Sequence, residues 1–494
     1  MADPVLLALD QGTSSTRAIA FDRSGGVLAE AQQSFEQIYP TSGWVEHDPE
    51  VLWATTLSTT RETLQKLRNQ GRDATAIGLT NQRETTIVWD RRTGVPLYNA
   101  IVWQDRRTAE RCRALEQAGH EGLLAEKTGL RLDPYFSATK LEWILNHVPE
   151  ARAAAQAGHI AFGTVDCFLI WRLTGGRVHA TDVTNASRTA LFDIRAGAWD
   201  RELCELFDIP MRGLPEVRDS AADFGIAGKE LLGVELPITG VAGDQHAALV
   251  GQACFSPGDV KSTFGTGAFL LLNTGQQLVR SRNRLLSTVA YRLNGVTTYA
   301  LEGSILSAGS TIQWLRDGLG IIARAPEVTA LAQSVSDTGG VYLAPAFTGL
   351  GAPYWDPDAR GAIIGLSRAS GRAEIARAAL DSVAYQTRDL LDAMAADGVT
   401  PAMLKVDGGM AQNEFFLQRL ADLLGLRILR PRLAESSAFG AACLAGLGCG
   451  VYGSLSEIAD LWQPDLQCEP RLDAETRARE IAGWQAAIRR VRSE

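Results

Sequence analysis

The chain has 494 residues, 46% of them hydrophobic, and a formal net charge of -9 with a pI near 5.4. That length exceeds one ordinary domain and supplies material for two cores. The acidic balance excludes the basic face on which nucleic acid or an anionic membrane is held, so an anionic cofactor has to be met by local donors or a metal ion.

The opening MADPVLLALDQGTSS has no basic n-region, and Asp10 breaks its apolar stretch, so no signal peptide is expected. Val5 to Leu9 and Arg17 to Phe21 read as strands, and Val27 to Phe35 follows a Ser-Gly-Gly turn. Between the first two lies a glycine and hydroxyl turn that exposes backbone N–H groups and small hydroxyls together, as a phosphate requires. It leads into a strand, which separates it from a Walker P-loop. Thr13, Ser14, Ser15 and Arg17 are candidate phosphate donors. Asp10 beside them reads either as a magnesium contact or as an Asx-turn at a strand end.

After a strand from Ala76 to Leu79 comes Thr80-Asn81-Gln82-Arg83-Glu84. A donor beside an acceptor suits a polyhydroxylated substrate, although a surface ion pair needs no ligand. The strand Ile238 to Val241 precedes Gly243 and Asp244, and Gln245 to Leu249 looks helical. Asp244 is thus either a helix cap or a general base brought close to its ligand by Gly243. FSPGD, Phe255 to Asp259, marks a boundary between halves 1–252 and 253–494, joined by a short hinge.

The second half repeats the opening. Val260 to Phe264 and Ala268 to Asn273 flank Gly265-Thr266-Gly267, and Leu285 to Leu293 and Thr297 to Leu301 follow as a hairpin about Asn294-Gly295. Two matching turns half a chain apart predict two phosphate half-sites facing each other across a cleft. Gly309 and Gln313 open a helix, and Arg372 to Met394 forms a long one stopped by Asp397-Gly398. Lys405 to Met410 ends a strand and starts an amphipathic helix, where Gly408 and Gly409 read either as a close backbone approach for an adenosine or α-phosphate or, like Gly309 and Gln313, as helix capping and packing. The glycine- and alanine-rich run Ala438 to Tyr452 falls short of the roughly 18 apolar residues of a membrane span. Seven scattered cysteines with no C-x-x-C pair fit a reducing cytoplasm, and six scattered histidines form no metal spacing.

The ordered set DQGTSSTR, TNQRETT, IVWQDRRT, DPYFSATKLEWIL, VAGDQHAALVG, STFGTGAFLL, LAPAFTGLGAPYWDPDARGAIIGL and VDGGMAQNEFF resembles the FGGY family of carbohydrate kinases, from about Val5 to Gly448. Phe136 to Ile144 and the stretch from Gly361 onward match the two family signatures, and Asn81 to Glu84 beside Trp103-Gln104-Asp105 favours the branch that acts on glycerol. The resemblance implies an α/β fold of two duplicated ribonuclease H-like domains of the actin and hexokinase ATPase type, with ATP and substrate in the cleft between them. It also implies phosphorylation of glycerol to sn-glycerol 3-phosphate with ATP and Mg²⁺.

Carried over by position, Arg83, Glu84, Tyr135, Asp244 and Gln245 bind the hydroxyls, Trp103 and Phe269 flank the carbon chain, and Asp244 is the base. Thr13, Ser14, Ser15, Arg17, Thr266, Gly309, Gln313, Gly409 and Asn413 match nucleotide positions, and Asp10 and Asp244 lie near the metal. A cytoplasmic homodimer or homotetramer is implied, without stable membrane insertion. Regulation through a phosphohistidine or fructose 1,6-bisphosphate is not expected: no histidine lies between His179 and His246, and Gly225 to Gly233 lacks the arginine. The alternatives are a relative acting on another small polyol or ketose and a non-catalytic actin-like ATP-binding protein.

Overall fold

The computed structural model describes residues 3–493. Two mixed sheets organise it, and they repeat one topology. In the first, Val5–Gln11, Ser15–Asp22 and Val27–Ser34 form an antiparallel meander, and Ala76–Asn81 and then Leu236–Gly243 add in parallel beside Val5–Gln11. In the second, Val260–Phe264, Ala268–Gly275 and Val296–Ile305 form the meander, and Met403–Asp407 and Arg427–Pro431 add in parallel. The predicted duplication is therefore present strand for strand. The second copy differs by insertion of Leu286–Leu293, which pairs at the sheet edge with Val296–Ile305, so the third meander strand is the one after the next in sequence.

The first strand is apolar on consecutive residues because both its faces are covered. Val5, Leu7 and Leu9 pack under the Pro49–Asn69 helix with Leu52, Leu64 and Leu67. Leu6 and Ala8 join Ile19 and Phe21 in a core shared with Ala438 to Ala445 and with Leu271, Ala290 and Ala300 of the second half. That shared core welds the two halves together.

The small-residue run read at the sequence level as too short for a membrane span is the helix Ser436–Gly448, and it lies across the first sheet. Its backbone approaches so closely that only glycine fits. A Cβ on Gly78 would stand 2.1 Å from Ala441 O, and one on Gly440 would stand 1.8 Å from Ala247 O in the Asp244–Gly251 helix. Among the described residues no helix is long and apolar enough to cross a membrane, and all seven cysteines are free.

One expected helix start is corrected. The chain after Asp407 makes a short 3-10 turn, Gly409–Gln412, and the amphipathic helix is Glu414–Leu424, with Asn413 accepting from Phe416 N–H as its cap. Gly408, at φ +89°, has no room for a side chain because a Cβ would meet Phe264 O at 2.5 Å.

Candidate active site

The parallel pairing of Ala76–Asn81 with Val5–Gln11 carries the chain directly from its strand onto the first phosphate turn. There Gln82 anchors it: the backbone N–H donates to Gln11 O at 2.8 Å and Nε2 donates to Gly12 O at 3.0 Å. Two residues on, Glu84 takes a left-handed backbone, φ +61°, unusual for a residue with a side chain. Its carbonyl is held there by the Ser137 and Thr86 hydroxyls at 2.9 and 3.1 Å. Arg83 and Glu84 are consequently both buried, 3% and 1% exposed, and do not form the surface pair that their adjacency suggested.

Each finds its partner elsewhere. Arg83 Nη1 and Nη2 donate to Glu302 Oε2 and Oε1 at 2.6 and 3.1 Å, and Arg188 bridges Glu84 Oε1 at 2.6 Å and Glu302 Oε1 at 3.0 Å. Burial raises the Glu84 carboxyl, and the Arg188 and Arg83 charges offset only part of that. For Glu302 burial acts the same way, but the two guanidiniums outweigh it and hold the acid below its usual range.

Asp244 begins the helix Asp244–Gly251 as its first helical residue, with Gly243 at the cap position. Oδ1 accepts from the Gln245 backbone N–H at 2.7 Å and faces Arg83 Nε at 3.3 Å, and Oδ2 meets only Gln245 Nε2, at 3.3 Å. Gly243 also meets a packing demand: a Cβ there would lie 2.7 Å from Arg83 Cγ. Gln245 Oε1 accepts from the fully buried Lys261 at 2.5 Å, and burial pushes that amine down to about 8. Burial also pushes Asp10 up to about 7, opposed by Arg17 and reinforced by the Asp244 and Glu435 carboxylates.

Aromatic rings wall one side of this cluster. Trp103 meets Tyr135 and Phe269 edge-on at 5.7 and 6.0 Å, and Phe269 lies 5.7 Å from the Arg83 guanidinium carbon. The Trp103 indole N–H donates to Thr13 Oγ1 at 3.0 Å, tying this wall to the first phosphate turn. Tyr135 hydroxyl stands 3.4 Å from Arg83 Nη2. Its turn is gathered by buried Lys140, whose Nζ donates to the carbonyls of Pro134, Tyr135 and Phe136 at 2.6, 2.6 and 3.0 Å.

In the second turn, Gly265 N–H bonds Gly267 O at 2.9 Å, while Thr266 O accepts from Ala308 and Ser310 N–H at 3.0 and 3.1 Å. Thr266 and Gly309 are thereby adjacent, and a Cβ on Gly309 would lie 3.8 Å from Met410 Cγ, next to Gly409. Gln313 is exposed on the same helix. The first-turn donors are less uniform. Ser14 is exposed, Ser15 Oγ accepts from Gln32 at 3.1 Å, and Arg17 is paired with Glu435, just before the Ser436–Gly448 helix that crosses from the second half. Asn413 uses its side-chain oxygen as a helix cap.

Arg188, Glu302, Lys261 and Lys140 escaped the sequence reading. Glu302 carries a signal nonetheless, as a single carboxylate inside the apolar strand Tyr299 to Ile305. Arg188 and the lysines carry none, because their partners are distant in sequence. His246 is buried with Nε2 3.4 Å from the Thr288 hydroxyl, and its Nδ1 has no partner among the described residues. Among the described residues no three His, Cys, Asp or Glu side chains are placed to hold a metal by themselves. A Mg²⁺ site would therefore rest on one or two carboxylates completed by substrate phosphates, the usual pattern for that ion. Asp10, with no hydrogen bond to its carboxylate among the described residues and a neighbouring acid in Asp244, has the character such a site needs.

Two sheets of duplicated topology, a buried polar cluster walled by aromatic rings and a glycine turn in each half are the architecture of a sugar kinase. The profiles of the FGGY family of carbohydrate kinases match here, the N-terminal domain over residues 5–251 and the C-terminal domain over residues 260–449, and the chain belongs to that family. It is 58% identical to the glycerol kinase of Rhodospirillum centenum, over 99% of this chain and 98% of that protein. It is 56% identical to glycerol kinase 1 of Pseudomonas aeruginosa, with 99% of each covered. The crystal structure of Plasmodium falciparum glycerol kinase with ADP superposes with a TM-score of 0.94 at 37% identity, covering 99% of this chain and 98% of that one. A gluconate kinase from Lactobacillus acidophilus, 22% identical with a TM-score of 0.87 and coverage of 98% and 96%, shares the fold.

Proposed function

We propose that this protein is an ATP-dependent kinase that phosphorylates a terminal hydroxyl of glycerol, giving sn-glycerol 3-phosphate and ADP. The observation that carries the reading is the meeting of Arg83, Glu84, Tyr135, Asp244, Gln245, Trp103 and Phe269 in one cluster. Near-full-length similarity to glycerol kinases supports the choice of acceptor.

A triol needs donors and acceptors alternating around a short carbon chain. Arg83 and Tyr135 supply donors, Glu84 and Asp244 supply acceptors, and the Trp103 and Phe269 rings exclude water from the carbon face. A primary alcohol is barely ionised at neutral pH, so proton removal must accompany attack on phosphorus. Asp244 Oδ2, the less engaged of its two oxygens, receives that proton. Thr13, Ser14, Ser15 and Arg17 from one turn, and Thr266, Gly309, Gln313, Gly409 and Asn413 from the other half, are assigned to the nucleotide. Asp10 and Asp244 would hold Mg²⁺, which supplies charge neutralisation at the transferring phosphates when bound. The reading extends, on family resemblance, to a homodimer or homotetramer in the cytoplasm.

The test follows ADP release with ATP, Mg²⁺ and a panel of glycerol, other small polyols and pentuloses. Turnover with glycerol well above the others is expected. Turnover with a pentulose and none with glycerol would overturn the assignment of acceptor, and ATP binding without transfer to any acceptor would favour a non-catalytic ATPase-fold protein.

A further inference from the structure

We propose that Glu302 and Arg188 are positioning residues for the acceptor site, and that Glu302 makes the second half of the chain set the orientation of Arg83 in the first. This rests on the reading of Arg83 and Glu84 as acceptor-binding residues.

Glu302 sits in the strand Val296–Ile305, opposite Leu271 of the neighbouring strand, and its side chain is fully buried. An isolated carboxylate in such a place is strongly disfavoured unless its charge is met and its lone pairs are used. Both conditions are satisfied by residues of the other half. Arg83, Glu302, Arg188 and Glu84 form a chain of alternating cations and anions, with contacts of 2.6 to 3.1 Å.

Arg83 gives both terminal nitrogens to Glu302, which leaves its Nε facing Asp244 at 3.3 Å and turns Nη2 toward Tyr135 at 3.4 Å. Without Glu302 the nearest carboxylate to that guanidinium is Asp244, and a two-pronged pair with the base would replace the single long contact. Arg188 occupies Oε1 of Glu84 and so leaves Oε2 as the acceptor for a substrate hydroxyl. Glu302 thus holds Arg83 back from Asp244, and Arg188 fixes which oxygen of Glu84 is offered. Neither needs to touch substrate.

A structural role and a positioning role separate cleanly, because Glu302 belongs to the half that carries most of the nucleotide candidates. If it merely stabilised its own sheet, its loss would disturb ATP use at least as much as acceptor use. The experiment measures KM for the acceptor and for ATP, and kcat, in the unaltered chain, Glu302→Gln and Glu302→Asp, with thermal unfolding as a check on folding.

Acceptor KM is expected to rise at least ~10-fold in Glu302→Gln, as when one partner of a buried charge pair is removed. ATP KM should stay within about twofold, and Glu302→Asp should recover part of the loss. Equal losses against both substrates, or an unchanged acceptor KM, would overturn the proposal. Should Glu302→Gln not fold, Arg188→Lys, which keeps the charge but cannot bridge both acids, must show the same split. The unaltered chain tests the underlying reading separately. If it uses a different polyol, the glycerol assignment fails and the split is measured on that polyol. If it uses none, the site reading fails and the positioning role falls with it.

Discussion

Arg83 Nε stands 3.3 Å from Asp244 Oδ1, and a Cβ on the intervening Gly243 would collide with the Arg83 side chain at 2.7 Å. A donor and an acceptor are therefore presented side by side at the end of a parallel strand, where ligands of open α/β sheets collect. On the proposed function, a hydroxyl bound beside this pair would be oriented by the guanidinium, with its proton toward the less engaged Asp244 Oδ2.

Asp244→Asn keeps the side-chain shape and the helix start but cannot accept a proton. Turnover is expected to fall at least ~10²-fold, the lower range for a positioned general base, with thermal unfolding little changed. Steady-state assay of the folded variant checks this, and near-normal kcat would remove Asp244 from the role.

Lys140→Met strips the three carbonyls of Pro134, Tyr135 and Phe136 of their common donor. Leaving buried acceptors unmet costs about 2 kcal/mol or more, so the unfolding midpoint should drop. Because the turn carries Tyr135, KM for glycerol should rise more than KM for ATP, which a two-substrate kinetic comparison would read.

Gly440→Ala tests the weld between the halves, since its Cβ would stand 1.8 Å from Ala247 O. Two backbones must separate to admit the methyl, at a cost of about 3 kcal/mol, the upper end for overpacking. The displaced helix begins at Asp244, so activity should fall together with stability in parallel denaturation and rate measurements.

Asp166 offers a pH test remote from the acceptor site. Burial pushes it up to about 7, although the Thr164 and Thr181 hydroxyls donate to it at 2.6 Å each. The native state therefore keeps a proton that the unfolded chain has lost, and this contribution to stability is present near pH 4 and disappears as pH rises to 7. Asp166→Asn should gain on the unaltered protein by on the order of 1 to 3 kcal/mol between pH 5 and pH 8, at about 1.4 kcal/mol per pH unit as the limit. Denaturant titrations across that range decide it; parallel curves would show that Asp166 is ionised throughout.

The strands on either side of each phosphate turn are legible in the sequence because alternation, β-branched residues and glycine turns act over a few neighbours. Lys405 to Leu424 shows the limit of that reading. Gly408 and Gly409 mark a turn, but the helix waits for the Asn413 cap, and the close approach of Gly408 to Phe264 of another strand has no local signal. The glycine and alanine content of Ser436–Gly448 was equally plain, and nothing local says that it lies on the sheet of the other half.

Local pattern and motif order thus determine the duplicated fold, the two turns and most of the side chains proposed for the acceptor. Tertiary structure alone decides their electrostatic state. The partners that orient Arg83 and Glu84 lie 219 and 104 residues away, and whether a charge is buried, paired or free depends on which distant surfaces meet once both sheets have closed on their shared core.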